Sequence, residues 1–166
     1  MDNEAPIDLN ISLKVIPEWI DYNNHMNVAY YVLAFDKAID EVYGILGLGP
    51  DYRQSSNKST FALESHITYI KEMILDDKIN FTAQLIDSNK KCLHFFLTMI
   101  NENKNYIAAT YENISIHVDL QTKRSANFPE SLQNKIDRLM ESHMLLTKPK
   151  QTGSIIAIRK KIGREN

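Results

Sequence analysis

The sequence predicts an α+β fold in which an antiparallel β-sheet wraps around one long central helix. The prediction depends on a single long apolar helix near the start of the chain, one strand before it and four strands after it. One helix with enough strands to curl around it is an α+β layer arrangement. The 166 residues suffice for one domain with a sizeable core, so we expect a single domain over residues 1–166.

The central helix is predicted from Val28 to Leu46. No residue from Val28 to Phe35 carries a charge, and two helical turns that are apolar all round must be enclosed. Beyond Phe35 the pattern becomes amphipathic, and Gly47 and Pro50 supply stop signals. We therefore expect a buried helix whose start carries the dense polar cluster of the chain.

The strands are predicted from alternating polarity. Leu9 to Ile16 alternates well enough for a strand that ends at Pro17. The polar residues 51–60 are expected to form a surface loop. Phe61 to Tyr69 is predicted to be a half-buried strand, with its odd-numbered apolar residues facing the core and with a position at the edge of the sheet.

The second half of the chain continues the sheet. Three more strands are predicted at residues 79–87, 91–100 and 106–120. The apolar parity changes within the last of these, which predicts a β-bulge near residues 111–113. A short amphipathic C-terminal helix is expected over about residues 129–146, followed by a basic tail from Lys148.

Composition excludes several functional classes. The net charge of −2 gives no indication of a nucleic-acid partner. No apolar stretch approaches the roughly 20 residues of a membrane span. The first ten residues lack the basic and hydrophobic regions of a signal peptide. We therefore expect a soluble, cytoplasmic protein that binds neither nucleic acid nor membrane.

The polar cluster from Asp21 to Asn27 precedes the central helix. The first amides of a helix lack internal partners, and the peptide dipoles make that end positive. Such an end can hold negative charge that develops on a carbonyl oxygen. A carboxylate just upstream, Asp21, could then act as nucleophile or as general base for water. The alternative is structural, with Asn27 capping the helix and Asp21 ending a turn.

Other motifs are less specific. The five histidines show no metal-ligand spacing, so no metal site is expected, and a GxSxG elbow is absent. Glu64 and His66 share one face of their strand, either as a functional pair or as an exposed ion pair. The aromatic residues beside the polar loop either pack in the core or form a wall that receives a cation; they are Trp19, Tyr22, Tyr30 and Tyr31.

The stretch DYNNHMNVAYYVLAFDKA resembles the D-x-x-x-H-x-N-x-x-Y signature of hotdog-fold acyl-CoA thioesterases, the 4-hydroxybenzoyl-CoA thioesterase-like group. The similarity covers roughly residues 10 to 130, and within the group it is greatest to betainyl-CoA thioesterases, including the domain fused to some carnitine dehydrogenases. The supporting segments are FALESHITYIKE at 61–72, KKCLHFFLTM at 90–99, AATYENISIHVD at 108–119 and FPE at 128–130.

This resemblance implies specific roles. Asp21 occupies the position of the catalytic carboxylate. The backbone N–H of Val28 occupies the position of the amide that polarises the thioester carbonyl in this family. His25 and Asn27 match the conformational positions of the signature, whereas Asn24 replaces the usual glycine and tolerates the left-handed backbone. No cofactor is implied beyond the coenzyme A of the substrate. A homodimer or a dimer of dimers is expected, with sheets joined edge to edge and both subunits contributing to each site.

The resemblance thus favours hydrolysis of a small acyl-CoA, with betainyl-CoA as the candidate substrate. A quaternary ammonium cannot donate hydrogen bonds, so aromatic faces and a carboxylate must hold it. Trp19, Tyr22 and Tyr30 are predicted to supply the faces, and Glu64 the charge. The alternatives are a hotdog-fold enoyl-CoA hydratase, whose D-x-N-P-x-H motif this chain lacks, and a non-catalytic acyl-CoA-binding protein.

Overall fold

The central element is helix α1, Val28–Leu46, in a computed structural model that describes residues 5–158. The helix begins where the sequence predicts, because the Asn27 side chain accepts a hydrogen bond of 3.0 Å from the amide of Ala29. It ends at Gly47, whose φ of 86° is left-handed. Residues 159–166 of the predicted basic tail lie outside the described residues, as do residues 1–4.

An antiparallel sheet curls around α1, as predicted. Along the sheet the strands follow the order β1-β4-β5-β6-β3, while β2 pairs with β4 and β7 pairs with β6. The predicted α+β arrangement is confirmed. The strands are β1 Ile7–Asp8, β2 Leu13–Lys14, β3 Lys58–Tyr69, β4 Lys78–Ser88, β5 Cys92–Asn101, β6 Tyr106–Asp119 and β7 Arg124–Ser125.

Two further helices flank the sheet, namely α2, Pro50–Ser56, and α3, Glu130–His143. Leu132 and Ile136 of α3 are buried in the core. In the middle of the core, Phe35 of α1 stacks on Tyr111 of β6 at a centroid distance of 5.1 Å. Within residues 5–158, no helix is both long enough and apolar enough to cross a membrane.

Two of the secondary-structure predictions are wrong, one for residues 9–16 and one for residues 51–60. Leu9 to Ile16 is not one strand: β1 and β2 pair separately with β4, because the bend at Asn10 interrupts the pairing. Residues 51–60 are not a loop: Pro50 starts α2 and Asn57, with a φ of 54°, ends it.

The β-bulges also differ from the prediction. Residues 111–113 pair regularly with both neighbouring strands, and the extra residue of β6 is Ala108. A second bulge places Leu63 of β3 out of register. It reverses the alternation, so Phe61 lies on the outer face of the sheet and Ile67 on the inner face. The prediction that Phe61 and Leu63 face the core is therefore wrong, and both are exposed.

One side of α1 remains exposed in the isolated chain. Tyr31, Ala34 and Phe35 are buried, whereas Val28, Val32 and Leu33 are exposed. The prediction that this helix is enclosed on all sides is therefore wrong for the isolated chain. Strand β3 lies at the end of the sheet, as predicted. Within residues 5–158 the chain thus presents both an apolar helix stripe and a strand edge without a pairing strand.

Candidate active site

The loop before α1 folds around the carboxylate of Asp21. The amide of Asn23 donates to Asp21 Oδ1 at 2.8 Å, and the amide of His25 approaches the same oxygen at 3.4 Å. A backbone hydrogen bond of 2.9 Å from the Asp21 N–H to the His25 carbonyl oxygen closes the loop. Asn24 takes a φ of 63°, so the left-handed conformation expected for the glycine position is present. These contacts fix the direction of the carboxylate.

The start of α1 lies directly after this loop. The amide of Asn27 donates to Trp19 O at 2.8 Å, which fixes the helix entry. Among the residues that the structure describes, none accepts a hydrogen bond from the amide of Val28. An unpaired amide at the positive end of a helix is suited to bind an oxyanion.

Asp21 and Val28 line one open cleft of about 280 Å³. Its opposite wall is the segment that follows β3. The bulge at Ala108 positions this segment. The carbonyl oxygen of Ala108 accepts hydrogen bonds from the backbone amides of Ile70, at 2.9 Å, and Lys71, at 3.0 Å. The lining residues are Asp21, His25, Met26, Val28, Tyr31, Tyr69, Ile70, Lys71 and Glu72.

Glu72 introduces a second carboxylate into the cleft. Its Oε2 lies 3.5 Å from Nε2 of His25, and both side chains are partly exposed. Lys71 also lines the cleft, but its ammonium lies 4.1 Å from the ring centroid of Tyr106. The sequence reasoning missed Tyr69 and Glu72 as lining residues. The available signal was the resemblance of residues 61–72 to the thioesterase family, because both Tyr69 and Glu72 lie in the last four residues of that segment.

The structure separates the other predicted binding residues from this cleft within one subunit. Trp19 and Tyr30 stack on each other at 5.5 Å, and Trp19 is buried. Tyr22 follows Asp21 but is 94% exposed. Glu64 lies on the outer face of β3, opposite Ile114 of β6. Of the predicted site residues, the cleft therefore brings together Asp21, His25 and Val28, with Asn27 behind them as the helix cap.

His117 and His94 lie outside the cleft and make structural contacts. His117 is buried; its Nε2 contacts the Tyr52 hydroxyl at 2.9 Å, and burial lowers the pKa of its imidazole. His94 Nε2 pairs with Glu112 Oε1 at 2.7 Å on the outer face of the sheet. Within residues 5–158, no three His, Cys, Asp or Glu side chains are grouped so that they could hold a metal ion.

Comparison with known proteins identifies the family. Residues 15–136 match the family described as the Thioesterase-like superfamily. The chain belongs to this superfamily. A betainyl-CoA thioesterase from Pseudomonas aeruginosa is 31% identical over 144 residues, which cover 87% of this chain and 91% of that protein. The L-carnitine dehydrogenase/betainyl-CoA thioesterase of Ruegeria pomeroyi is 32% identical over 96% of this chain, but this chain spans only 31% of that protein.

Solved structures of similar proteins match the fold. A hypothetical protein from Staphylococcus aureus in complex with CoA has a TM-score of 0.85 and 32% identity, covering 93% of this chain and 97% of that chain. A putative thioesterase from Pseudomonas putida has a TM-score of 0.80 and 30% identity, and the match covers 94% of this chain and 99% of that chain. The predictions of a hotdog fold and of an acyl-CoA thioester hydrolase are confirmed.

Proposed function

We propose that this chain hydrolyses the thioester of a small acyl-CoA, with Asp21 as the reacting carboxylate and the Val28 amide as the oxyanion site. The observation that carries the proposal is that both groups line one cleft. The Asp21 carboxylate is oriented by backbone amides, and the Val28 amide has no acceptor among the described residues. A fixed carboxylate can act as base or nucleophile and a free helix N-terminus can stabilise an oxyanion, which together suit acyl transfer to water.

The reaction can follow either of two routes through Asp21. As a base, the carboxylate takes a proton from water while the water oxygen attacks the carbonyl carbon. As a nucleophile, it attacks that carbon itself, and water then hydrolyses the resulting anhydride. In both routes the C–S bond breaks, the thiolate leaves and is protonated, and the products are the free acid and CoA. No step needs a metal or a further cofactor.

The helix end stabilises the intermediate in both routes. Negative charge develops on the carbonyl oxygen as the carbon becomes tetrahedral, and the Val28 N–H with the α1 dipole is aimed at that charge. Asn27 keeps the first turn of α1 in place through its cap to Ala29. His25 closes the turn that holds Asp21 and contacts Glu72.

Betainyl-CoA is the proposed substrate. The similarity to a betainyl-CoA thioesterase over most of both chains supports a trimethylammonium acyl group. In betainyl-CoA the charged nitrogen is two bonds from the carbonyl carbon, so the groups that hold it must lie close to Asp21 and Val28. Tyr69 and Glu72 line the same cleft and offer an aromatic ring and a carboxylate. We add them to the sequence-based candidates Trp19, Tyr22, Tyr30 and Glu64.

A homodimer, or a dimer of dimers, completes the proposal. Strand β3 is an unpaired edge, and the stripe of Val28, Val32 and Leu33 lies exposed on α1. A second subunit that pairs with β3 removes the free edge and covers apolar surface. In such a dimer Glu64 lies near the interface, on the outer face of the sheet. A cytoplasmic location stays a prediction.

A panel of acyl-CoA thioesters, read out as released thiol, tests the proposal. We expect turnover that is highest for small acyl groups and includes betainyl-CoA. Hydration of an enoyl-CoA without thiol release would favour the hydratase alternative instead. Binding of several acyl-CoAs without turnover of any would favour the non-catalytic alternative.

A further inference from the structure

The segment after α3 is attached to the outer face of the sheet by a largely buried carboxylate. The amide of Gly153 donates to both oxygens of Glu112, at 3.0 and 2.9 Å. His94 holds the same carboxylate at 2.7 Å, and only 14% of the Glu112 side chain is exposed. Hydrogen bonds to a charged acceptor are stronger than neutral ones. Glu112 is therefore an anchor that fixes where the segment crosses the sheet.

Next to this anchor the segment borders a groove on the outer face of the sheet. Residues 153–155 share a groove with Glu64, Ser65 and His66 of β3. Strand β3 is the neighbour of β6 and the last strand of the sheet. Contact with the rest of the chain is slight from the end of the groove onwards, since Ile155, Ile156 and Ile158 are 86%, 88% and 95% exposed.

An aliphatic run with such exposure indicates a contact outside the isolated chain. Strands lie about 4.8 Å apart, and a fully extended chain from residue 155 to residue 158 would span roughly 10 Å. The run can therefore extend over the first two strands beyond the β3 edge. In the dimer proposed above, these strands belong to the second subunit.

The outer face near that edge offers a matching surface. Phe61 and Leu63 of β3 are exposed there, and the subunit's own isoleucines leave them uncovered. The same surface exists on a second copy. We propose that residues 155–158 of each subunit form a strap that binds the outer sheet face of the other subunit beside Phe61 and Leu63. The strap rests on the proposed dimer, but not on the proposed chemistry.

Cysteine crosslinking of the full chain tests which subunit the strap binds. Cys92→Ser removes the native thiol, and Leu63→Cys with Ile156→Cys places one thiol on each surface. Mild oxidation should produce a disulfide-linked species of twice the subunit mass on a non-reducing gel, and neither Leu63→Cys nor Ile156→Cys alone should give it in the Cys92→Ser background. A crosslink found only within monomers, or none at all, would overturn the strap.

A second measurement uses the dimer dissociation constant. The triple variant Ile155→Ser, Ile156→Ser and Ile158→Ser should raise this constant by about tenfold or more, because three buried aliphatic side chains are lost from the interface. Met144→Ser with Leu145→Ser, which alters two exposed residues at the end of α3, is the matched control and should leave it unchanged.

The outcomes separate the strap from the rest of the proposal. An unchanged dissociation constant in the triple variant, with or without an altered KM for acyl-CoA, overturns the strap and leaves the dimer and the chemistry intact. A wild-type chain that is monomeric overturns the dimer and the strap together. A dimer that crosslinks as expected but releases no thiol from any acyl-CoA supports the strap and contradicts the proposed hydrolysis.

Discussion

The hydroxyl of Tyr31 accepts a hydrogen bond of 3.0 Å from the backbone amide of Met73. Met73 O in turn accepts the amide of Met26 at 2.8 Å. This buried junction connects α1, the loop that holds Asp21 and the segment after β3, which are the three parts of the cleft. Burial raises the pKa of Tyr31 to about 12, so its hydroxyl stays neutral at physiological pH.

Tyr31→Phe tests this junction. The variant leaves the buried Met73 amide without its acceptor, which should lower the free energy of unfolding by about 1–3 kcal/mol. Urea denaturation measures the change. Tyr22→Phe is the control, since Tyr22 is exposed and its hydroxyl makes no hydrogen bond to any of residues 5–158. Equal stabilities for Tyr31→Phe and the wild type would show that the junction contributes nothing.

Asp21→Asn tests the reacting carboxylate. The amide oxygen of asparagine can still accept the N–H groups of Asn23 and His25, so the fold should be kept. Removal of the base or nucleophile should lower kcat by about 10²-fold or more. Thiol release and a thermal melt measure the two properties. Asp51→Asn, at an exposed acid of α2, should retain activity. Near wild-type turnover in folded Asp21→Asn would exclude the mechanism.

Glu72→Gln and Glu64→Gln distinguish the two carboxylates that could face a cation. The measurement is kcat/KM for betainyl-CoA relative to 3,3-dimethylbutyryl-CoA, a neutral isostere of nearly the same shape. Wild type should prefer the cation. Glu72→Gln should reduce the preference by about tenfold, as expected when one partly screened charge is removed. A reduction in Glu64→Gln alone would favour the sequence-based assignment, and a wild type without preference would exclude cation recognition.

Sedimentation velocity tests the oligomeric state. At micromolar concentration we expect at least a dimer, because β3 offers an unpaired edge and α1 an exposed apolar stripe. Val32→Lys places a charge within that stripe and should shift the population towards monomers. Lys37→Ala, on an exposed part of the same helix, serves as the comparison. A stable and active wild-type monomer would contradict the dimer.

His143 should make stability depend on pH. Its Nδ1 contacts the Leu85 amide at 2.8 Å as an acceptor, and burial lowers the pKa of this imidazole. The unfolded chain binds the proton near an ordinary pKa of about 6.5, before the folded chain does, so the unfolding free energy should fall as pH falls below that value. Burial also lowers the pKa of the His117 imidazole, so His117 should likewise reduce the unfolding free energy as pH falls.

Urea unfolding at pH 7.5 and 5.5 measures the effect. His143→Leu should be less stable at both values, because Leu85 loses its acceptor, but its stability should change less between them. If the variant and the wild type lose the same free energy on acidification, His143 does not contribute to the pH dependence.

Local signals in the sequence define α1 and the catalytic loop well. The Asn27 cap and Gly47 set both ends of the helix, and turn-forming residues mark the stretch around Asp21. The bulges at Leu63 and Ala108 were not predictable in position, because a bulge depends on how two strands align across the sheet. For the same reason Glu72 was not predicted as a cleft residue: the pairing of strands across the sheet, and not a local sequence pattern, brings it to His25 in the cleft.

The left-handed Asn24 has a consequence for the entropy of the catalytic loop. A glycine here would give the unfolded chain more backbone conformations to lose on folding and would give the folded loop easier routes to other shapes. Asparagine reaches the observed φ of 63° with fewer competing conformations. The turn around Asp21 should therefore be ordered before any substrate arrives, and the energy of substrate binding remains available for the reaction itself.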